Sequence, residues 1–274
     1  MAMTHQMISF ALPLLLLAWA DPAVRPADLD LGYQQMYDLQ FSEAHKTFSG
    51  YSQAFPTDPL APVSNAAAYL FAEMDRLRIL QSEFFIDDDN FRHPKKLTPD
   101  RSVRVSFDAE LTKADKLSAT ILSKSPQDRN ALFASVLSLG LRSDYDGLID
   151  KRYLSALSSV KNGRLAAEKL LAIDPTFYDA HLAIGLENYV LSLKAAPMRW
   201  FLRLAGAETD RDLGLQRLRL TAQGGRYLKP YARLLLAVAA LRDMDRPAAR
   251  DILRDLSKQF PNNRLFREEL ARLQ

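Results

Sequence analysis

Apolar residues recur along this chain at helical spacing, and segments rich in proline or polar residues separate the helices that the spacing predicts. Over residues 63–85, apolar side chains return every three or four positions, which is typical of a helix with one buried face. Alternation of apolar and polar residues, the mark of a half-buried strand, is not prominent. The pattern therefore predicts an all-α chain. Further helices are predicted at 28–55 (a pair), 101–126, 130–141, 153–173, 178–193, 213–223 and from 227 onward.

Four of the predicted helices end at a proline and share a pattern upstream of it. Twelve residues before each proline lies a small residue, and five residues before it lies a large one. A small residue lets a neighbouring helix approach closely, a large one fills the groove between helices, and proline ends the helix. The prolines are Pro56, Pro126, Pro175 and Pro261, with Ala44, Ala114, Gly163 and Ala249 as small residues and Tyr51, Ile121, Leu170 and Leu256 as large ones.

Residues 230–261 carry the clearest copy of this unit, and its first helix contains Leu236, Ala237 and Ala240. The pairs Ile184-Gly185 and Leu31-Gly32 stand at matching offsets in two other first helices. This layout resembles the tetratricopeptide repeat (TPR), a helix-turn-helix of about 34 residues that stacks into a superhelix. The resemblance implies an α-solenoid of stacked antiparallel helix pairs over residues 21–274, with a capping helix at 264–274. An irregular helical bundle is the alternative.

Two irregular insertions interrupt the predicted repeats, at about 86–100 and 194–210. Insertions in repeat arrays tend to lie on one face, often the binding face. In the second insertion, Arg199 and Arg203 share one face of a short predicted helix, and Trp200 and Phe201 belong to another. This pattern suits contact with a membrane surface or a partner protein, and it equally suits packing against the protein's own helices.

Residues 1–20 resemble an export signal, with an apolar run and small residues at Ala18 and Ala20. Cleavage after Ala20 is expected, although no Lys or Arg precedes the apolar run; an uncleaved anchor, a misassigned start and a buried helix are the alternatives. The chain contains no cysteine, so it has neither disulfides nor a cysteine that could carry a lipid. Together these features predict a soluble bacterial periplasmic protein.

The composition offers little support for nucleic-acid binding or catalysis. The net charge of +3 comes from 36 basic and 33 acidic residues that are interleaved, whereas phosphate binding needs basic residues converging on one face. No nucleophile, phosphate-loop or metalloprotease motif is present. His181, near Asp179 and Glu187, lacks a second histidine at metal-ligand spacing, and Asp144 and Asp146 begin a calcium-like loop without the later ligands. The expectation is a non-enzyme without cofactor or metal.

The concave surface of the predicted solenoid is the remaining candidate site. Tyrosine side chains suit peptide binding there, because each combines apolar area with a hydroxyl group. Packing against the next repeat is the alternative role for each residue. The predicted groove residues are Tyr33, Tyr37, Phe133, Leu137, Asp179, Leu182, Tyr189, Tyr231 and Leu241.

Repeat arrays bind many unrelated partners, so the resemblance indicates a fold more strongly than a function. The first hypothesis is a non-catalytic scaffold or adaptor in the bacterial cell envelope that binds another protein or an extended peptide. The alternative is a periplasmic solute- or lipid-binding accessory protein that encloses an apolar ligand between its repeats. Peripheral membrane contact through the second insertion is compatible with either hypothesis.

Overall fold

The structure, a computed structural model, describes residues 28–80, 97–204 and 206–273, apart from the side chain of Phe201. Within these ranges the chain forms α-helices and no strand, which confirms the all-α prediction. The predicted signal at 1–20 and most of the first insertion lie outside the described residues. The helices are α1 (Leu29–Tyr37), α2 (Phe41–Ala54), α3 (Leu60–Arg76), α4 (Arg101–Leu122), α5 (Arg129–Asp144), α6 (Tyr153–Ile173), α7 (His181–Ser192), α8 (Ala196–Leu204), α9 (Arg211–Gly224), α10 (Lys229–Arg242), α11 (Arg246–Gln259) and α12 (Arg264–Arg272).

The helices pack as successive pairs in chain order. The pairs are α1 with α2, α3 with α4, α5 with α6, α7 with α9, and α10 with α11. The second helix of each pair then contacts the first helix of the next, and α11 contacts α12. Helix α8 is absent from this scheme because it belongs to the insertion between the two helices of the fourth pair.

The turns after the four prolines share one backbone geometry. The residue before each proline donates its N–H to the carbonyl four residues earlier, as Phe55 does to Tyr51 at 2.8 Å and Phe260 to Leu256 at 2.9 Å. Two residues after the proline, Asp58, Asp128 and Asn263 accept a backbone N–H from the next helix with their side chains. At three of the four turns, a side-chain cap thus starts the next helix soon after the proline; Phe177, two residues after Pro175, provides no such cap.

The small residues of the repeated unit occupy close helix contacts. Ala44, Ala114 and Ala249 have no exposed surface. On the facing helix of the first pair, a Cβ atom added to Gly32 would lie 2.3 Å from the ring of Phe48. Any larger residue at position 32 would therefore separate α1 from α2, as the sequence pattern predicts.

The fourth pair has the same geometry without a proline. The N–H of Gly225 bonds to the carbonyl of Thr221 at 2.8 Å, and Arg226 stands where the other pairs have proline. Gly185 on α7 and Gly214 on α9 meet closely, since a Cβ atom at position 214 would lie 3.0 Å from the carbonyl oxygen of Gly185. The proline pattern alone misses this copy.

Two predicted boundaries are wrong. The helix expected over 63–85 ends at Arg76, because Arg78 adopts a left-handed backbone (φ 58°) and Ile79 bonds to the carbonyl of Met74. This is a Schellman stop, and helices α1 and α10 end in the same way at Leu39 and Met244. The loop expected at 143–150 is instead the end of α5 followed by a π-helix at Tyr145–Ile149.

Residues of α1, the turn after it and α3 contact the C-terminal part of the chain, from the turn after α9 to α12, directly. Arg226 pairs with Asp30 at 2.6 Å, and Arg264 pairs with Asp75 at 3.0 Å. Asp38 accepts hydrogen bonds from the backbone and side-chain nitrogens of Asn262 at 2.8 and 2.6 Å. The N-terminal and C-terminal helices thereby enclose a common interior.

Candidate functional site

Most of the residues predicted to line a groove lie in the protein interior. Their role in binding remains a prediction. In this conformation, Leu241 is the residue of this set with appreciable surface accessible to a partner. The side chains of Tyr33, Tyr37, Phe133, Leu137, Asp179, Leu182, Tyr189 and Tyr231 are buried, and that of Leu241 is half-buried.

Aromatic rings from the two ends of the chain fill much of this interior. Rings on α1 and α3 pack against rings that follow α9, on α10 and after α11. Such pairs add to the hydrophobic stabilisation when their centroids lie about 4.5–7 Å apart. The ring pairs are Tyr33 with Tyr227 at 4.8 Å, Tyr37 with Phe260 at 5.8 Å, and Phe71 with Tyr231 at 5.5 Å.

A cavity of about 40 Å³ adjoins this aromatic cluster. Its walls are mainly apolar and come from α1, α3, α10, α11 and α12. A volume of this size holds about two or three water-sized groups. The lining includes Met36, Tyr37, Phe71, Tyr231, Leu253 and Phe266.

Asp179 supports the one repeated turn that lacks a proline. Its carboxylate accepts the backbone N–H groups of Arg226 at 2.9 Å, Tyr227 at 3.3 Å and Leu228 at 2.8 Å. Burial raises the pKa of Asp179, although these three N–H groups act to lower it. The geometry gives Asp179 a structural role at a position where the sequence suggests a binding role.

Asp144 has a different environment, at the end of α5. Burial raises its pKa to about 7, and a hydrogen bond with Tyr231 acts in the opposite direction. The tyrosine lies on α10, so this contact links the third helix pair to the fifth.

His181 and the acidic residues named from the sequence do not converge. Nδ1 of His181 lies 3.2 Å from Nη1 of Arg217, and burial lowers the pKa of the imidazole. The carboxylate of Asp146 accepts the hydroxyl of Ser155 at 2.5 Å. Across the described ranges, no group of three or more His, Asp or Glu side chains could hold a metal ion.

The second insertion is held in place by hydrogen bonds at both ends. Arg199 donates to the backbone carbonyls of Ser192 and Lys194, at the end of α7. Arg203 donates to the hydroxyl of Thr209 at 2.6 Å. Further along, Asn188 accepts the N–H of Asp210 at 2.9 Å. Both arginines predicted to contact a membrane or partner therefore also bond within the chain.

A buried ion pair beneath the insertion adds to this attachment. Arg164 on α6 contacts the carboxylate of Glu187 at 3.0 Å, and Glu187 also accepts the N–H of Glu208 at 3.1 Å. Burial raises the pKa of Glu187, which these two donors act to lower. A buried carboxylate with two donors fixes the end of the insertion against α6 and α7.

Helix α8 nevertheless exposes large apolar side chains. Trp200 is 65% exposed, Leu204 68% and Met198 51%. Only Leu202 is buried among the apolar residues of α8 whose side chains are described; the side chain of Phe201 lies outside this description. Trp200 and Leu204 are four residues apart and so share one helix face.

The sequence reading missed the roles of Arg164, Glu187 and Tyr231. Arg164 and Glu187 lie on different helices, so their contact depends on how α6 packs against α7. The spacing of Gly185 and Gly214 could have revealed the fourth pair. In the first and fifth pairs, the small residues of the two helices are 12 positions apart, as Gly32 is from Ala44. Gly185 and Gly214 are 29 positions apart, which is 12 plus the 17 residues of the predicted insertion.

No helix in the described part of the chain is long and apolar enough to cross a membrane. Comparison of the chain with protein-family models, with curated proteins and with solved structures finds no match.

Proposed function

We propose that this protein is a non-catalytic adaptor built as a TPR-type α-solenoid. The order of helix contacts, the shared turn geometry of four proline-ended helices and the matching turn of the fourth pair support this fold. We also propose, from residues 1–20, that the adaptor is exported to the bacterial cell envelope.

The observation that carries the adaptor function is the exposed apolar face of α8. Burying a tryptophan ring from water is favourable, and exposed rings are enriched where proteins bind one another. Here Trp200 and Leu204 remain exposed although hydrogen bonds fix the helix that carries them. A rigid helix with this face loses little conformational entropy when a partner binds.

The occupant we assign to this face is a partner protein with an apolar pocket for Trp200 and acidic groups beside Arg203. Helix α8 has nine residues, and membrane binding by an interfacial helix grows with the apolar area that it buries. So short a helix binds lipid weakly by itself. A pocket can instead enclose the whole indole ring, which is the arrangement of a binding hot spot.

The small cavity beside the aromatic cluster does not favour the lipid-binding alternative. Its volume of about 40 Å³ is too small for an acyl chain. A solute of a few heavy atoms is the largest ligand that it suits without rearrangement.

The test compares partner capture by tagged wild-type protein with capture by the W200A/L204A variant. Mass spectrometry should identify a stoichiometric protein that the variant loses, and calorimetry with the purified partner should show affinity at least about 30-fold weaker for the variant. L154A is the matched control, because Leu154 is 86% exposed on α6. A partner retained equally by both variants, or co-sedimentation with anionic vesicles alone, would contradict this proposal.

A further inference from the structure

The N-terminal and C-terminal helices meet along a seam that covers the interior, and we call this contact the end-to-end seam. On its N-terminal side lie α1, the turn after it and α3. On its C-terminal side lie the turn after α9, then α10, the turn after α11 and α12. Its described contacts are the ring pairs Tyr33 with Tyr227, Tyr37 with Phe260 and Phe71 with Tyr231, the ion pairs Asp30 with Arg226 and Asp75 with Arg264, and the hydrogen bonds of Asp38 with Asn262.

Side chains join the seam, rather than close packing of helices. Successive helices of the chain lie close enough for their backbones to pack, whereas no described helix on one side of the seam packs in this way against a helix on the other side. The cavity of about 40 Å³ lies within the seam, since its lining includes Met36 and Phe71 from one side and Tyr231 and Leu253 from the other. Voids of this kind are few in a close-packed core. The seam is therefore packed less tightly than the contacts between successive helices.

The ion pairs of the seam separate the two signs of charge. The N-terminal side contributes Asp30 and Asp75, and the C-terminal side contributes Arg226 and Arg264. The side chain of Arg226 is 63% exposed and that of Arg264 is 45% exposed. Exposed ion pairs add little stability, and salt weakens them further. These pairs thus align the two sides of the seam more than they stabilise the contact.

Opening of the seam would leave the helix pairs intact. In an array of stacked repeats, each unit is stabilised by its neighbours in the chain, and the close contacts between successive helices do not cross the seam. Opening is therefore a hinge motion of the array rather than unfolding. It would uncover Tyr33, Tyr37, Phe71, Tyr231 and Phe260, of which Tyr33, Tyr37 and Tyr231 are predicted groove residues.

We propose that the end-to-end seam is an autoinhibitory contact, which covers the aromatic surface of the interior until the seam opens. The open form is a solenoid whose concave face presents these rings. Attraction between the acids of the N-terminal side and the arginines of the C-terminal side favours the closed form. This inference goes beyond the proposed adaptor function, because α8 lies outside the seam.

The test begins with charge reversal on the N-terminal side of the seam. The reversed variant, D30R/D75R, places like charges opposite Arg226 and Arg264. The swapped variant carries R226D and R264D in addition, so that both pairs again have opposite charges. Repulsion should open the seam in the reversed variant, and the swapped variant should close it.

Spin labels measure the opening by pulsed electron spin resonance. Labels at Q34C and K258C, whose native side chains are exposed on α1 and α11, report the distance across the seam. Labels at Q34C and K116C report a distance within the N-terminal side, because Lys116 is exposed on α4. The chain has no cysteine of its own, so the labels attach at the introduced positions alone.

We expect the reversed variant to show a population whose distance across the seam is longer by about 10 Å, the diameter of a helix. The distance within the N-terminal side and the helix content measured by circular dichroism should not change, and the swapped variant should return to the wild-type distance. The control E43R/D251R, which makes the same change in net charge at exposed acids without seam contacts, should behave as wild type.

An unchanged distance across the seam in the reversed variant would overturn the proposal. Loss of helix content in that variant would also overturn it, because the seam would then be inseparable from the fold. Failure of the swapped variant to restore the short distance, or opening in the control, would show that the paired charges do not hold the seam closed.

Discussion

Asp179 and Asp144 are two carboxyl groups of the same interior with opposite surroundings. Asp179 accepts three backbone N–H groups from residues 226–228. It thereby stabilises the turn after α9, where Arg226 stands at the position that proline has in the other pairs. Among the described residues, the hydroxyl of Tyr231 is the group that hydrogen-bonds to Asp144, and burial raises the pKa of Asp144 to about 7. A buried carboxylate with several donors contributes to the fold, whereas one with few donors reduces stability when it is ionised.

The largest effect is expected from D179A, which leaves the N–H groups of Arg226, Tyr227 and Leu228 without an acceptor. An unsatisfied buried donor costs about 1–3 kcal/mol, so we expect the free energy of unfolding to fall by about 3–5 kcal/mol. Urea denaturation measures this change. D128A, which removes a cap two residues after Pro126, should cost only about 1 kcal/mol; equal losses in the two variants would contradict the role assigned to Asp179.

A smaller effect of opposite sign is expected from D144N. The folded state holds the proton of Asp144 up to a pH of about 7, while the unfolded chain releases it near its ordinary pKa of about 4. The stability associated with this proton is therefore fully present below about pH 4 and is lost as the pH rises through about 7. At pH 8 we expect D144N to be about 1–3 kcal/mol more stable than wild type.

The measurement for D144N is urea denaturation of both proteins at intervals from pH 4 to pH 8. The difference between them should be near zero at pH 4 and should grow with pH. A difference that stays constant across this range would show that Asp144 does not titrate in the folded state as inferred.

The smallest effect is expected from Y231F, which removes one hydroxyl and keeps the ring. Loss of a hydrogen bond to a carboxyl group costs about 1 kcal/mol. Because this bond acts to lower the pKa of Asp144, the pKa should rise further in the variant. Carbon-detected NMR of the Asp144 carboxyl group measures the shift, and Y178F serves as the control, because Tyr178 is 38% exposed. An unchanged titration midpoint of Asp144 in Y231F would show that the Tyr231 hydroxyl does not interact with this carboxyl group.

The sequence predicted helix positions better than helix ends. The helix at Tyr153–Ile173 has the predicted boundaries. Pro175 marks its end locally, whereas its start follows Lys151, which has a left-handed backbone. At Arg76 the predicted helix was nine residues too long, since the stop there is a left-handed Arg78 rather than a glycine or proline. This stop consists of backbone hydrogen bonds from Arg78 and Ile79, and no residue type in the sequence marks it.

The sequence by itself determined the all-helical class and the register of the repeated turns, since apolar spacing, small residues and prolines act through contacts near in the chain. The tertiary structure decided which side chains are exposed and which are paired. Tyr231 meets Asp144, and Asp179 meets the turn after α9, because helices distant in sequence pack around one interior. Whether a buried carboxyl group stabilises or destabilises the fold depends on donors from other helices, which the local pattern does not specify.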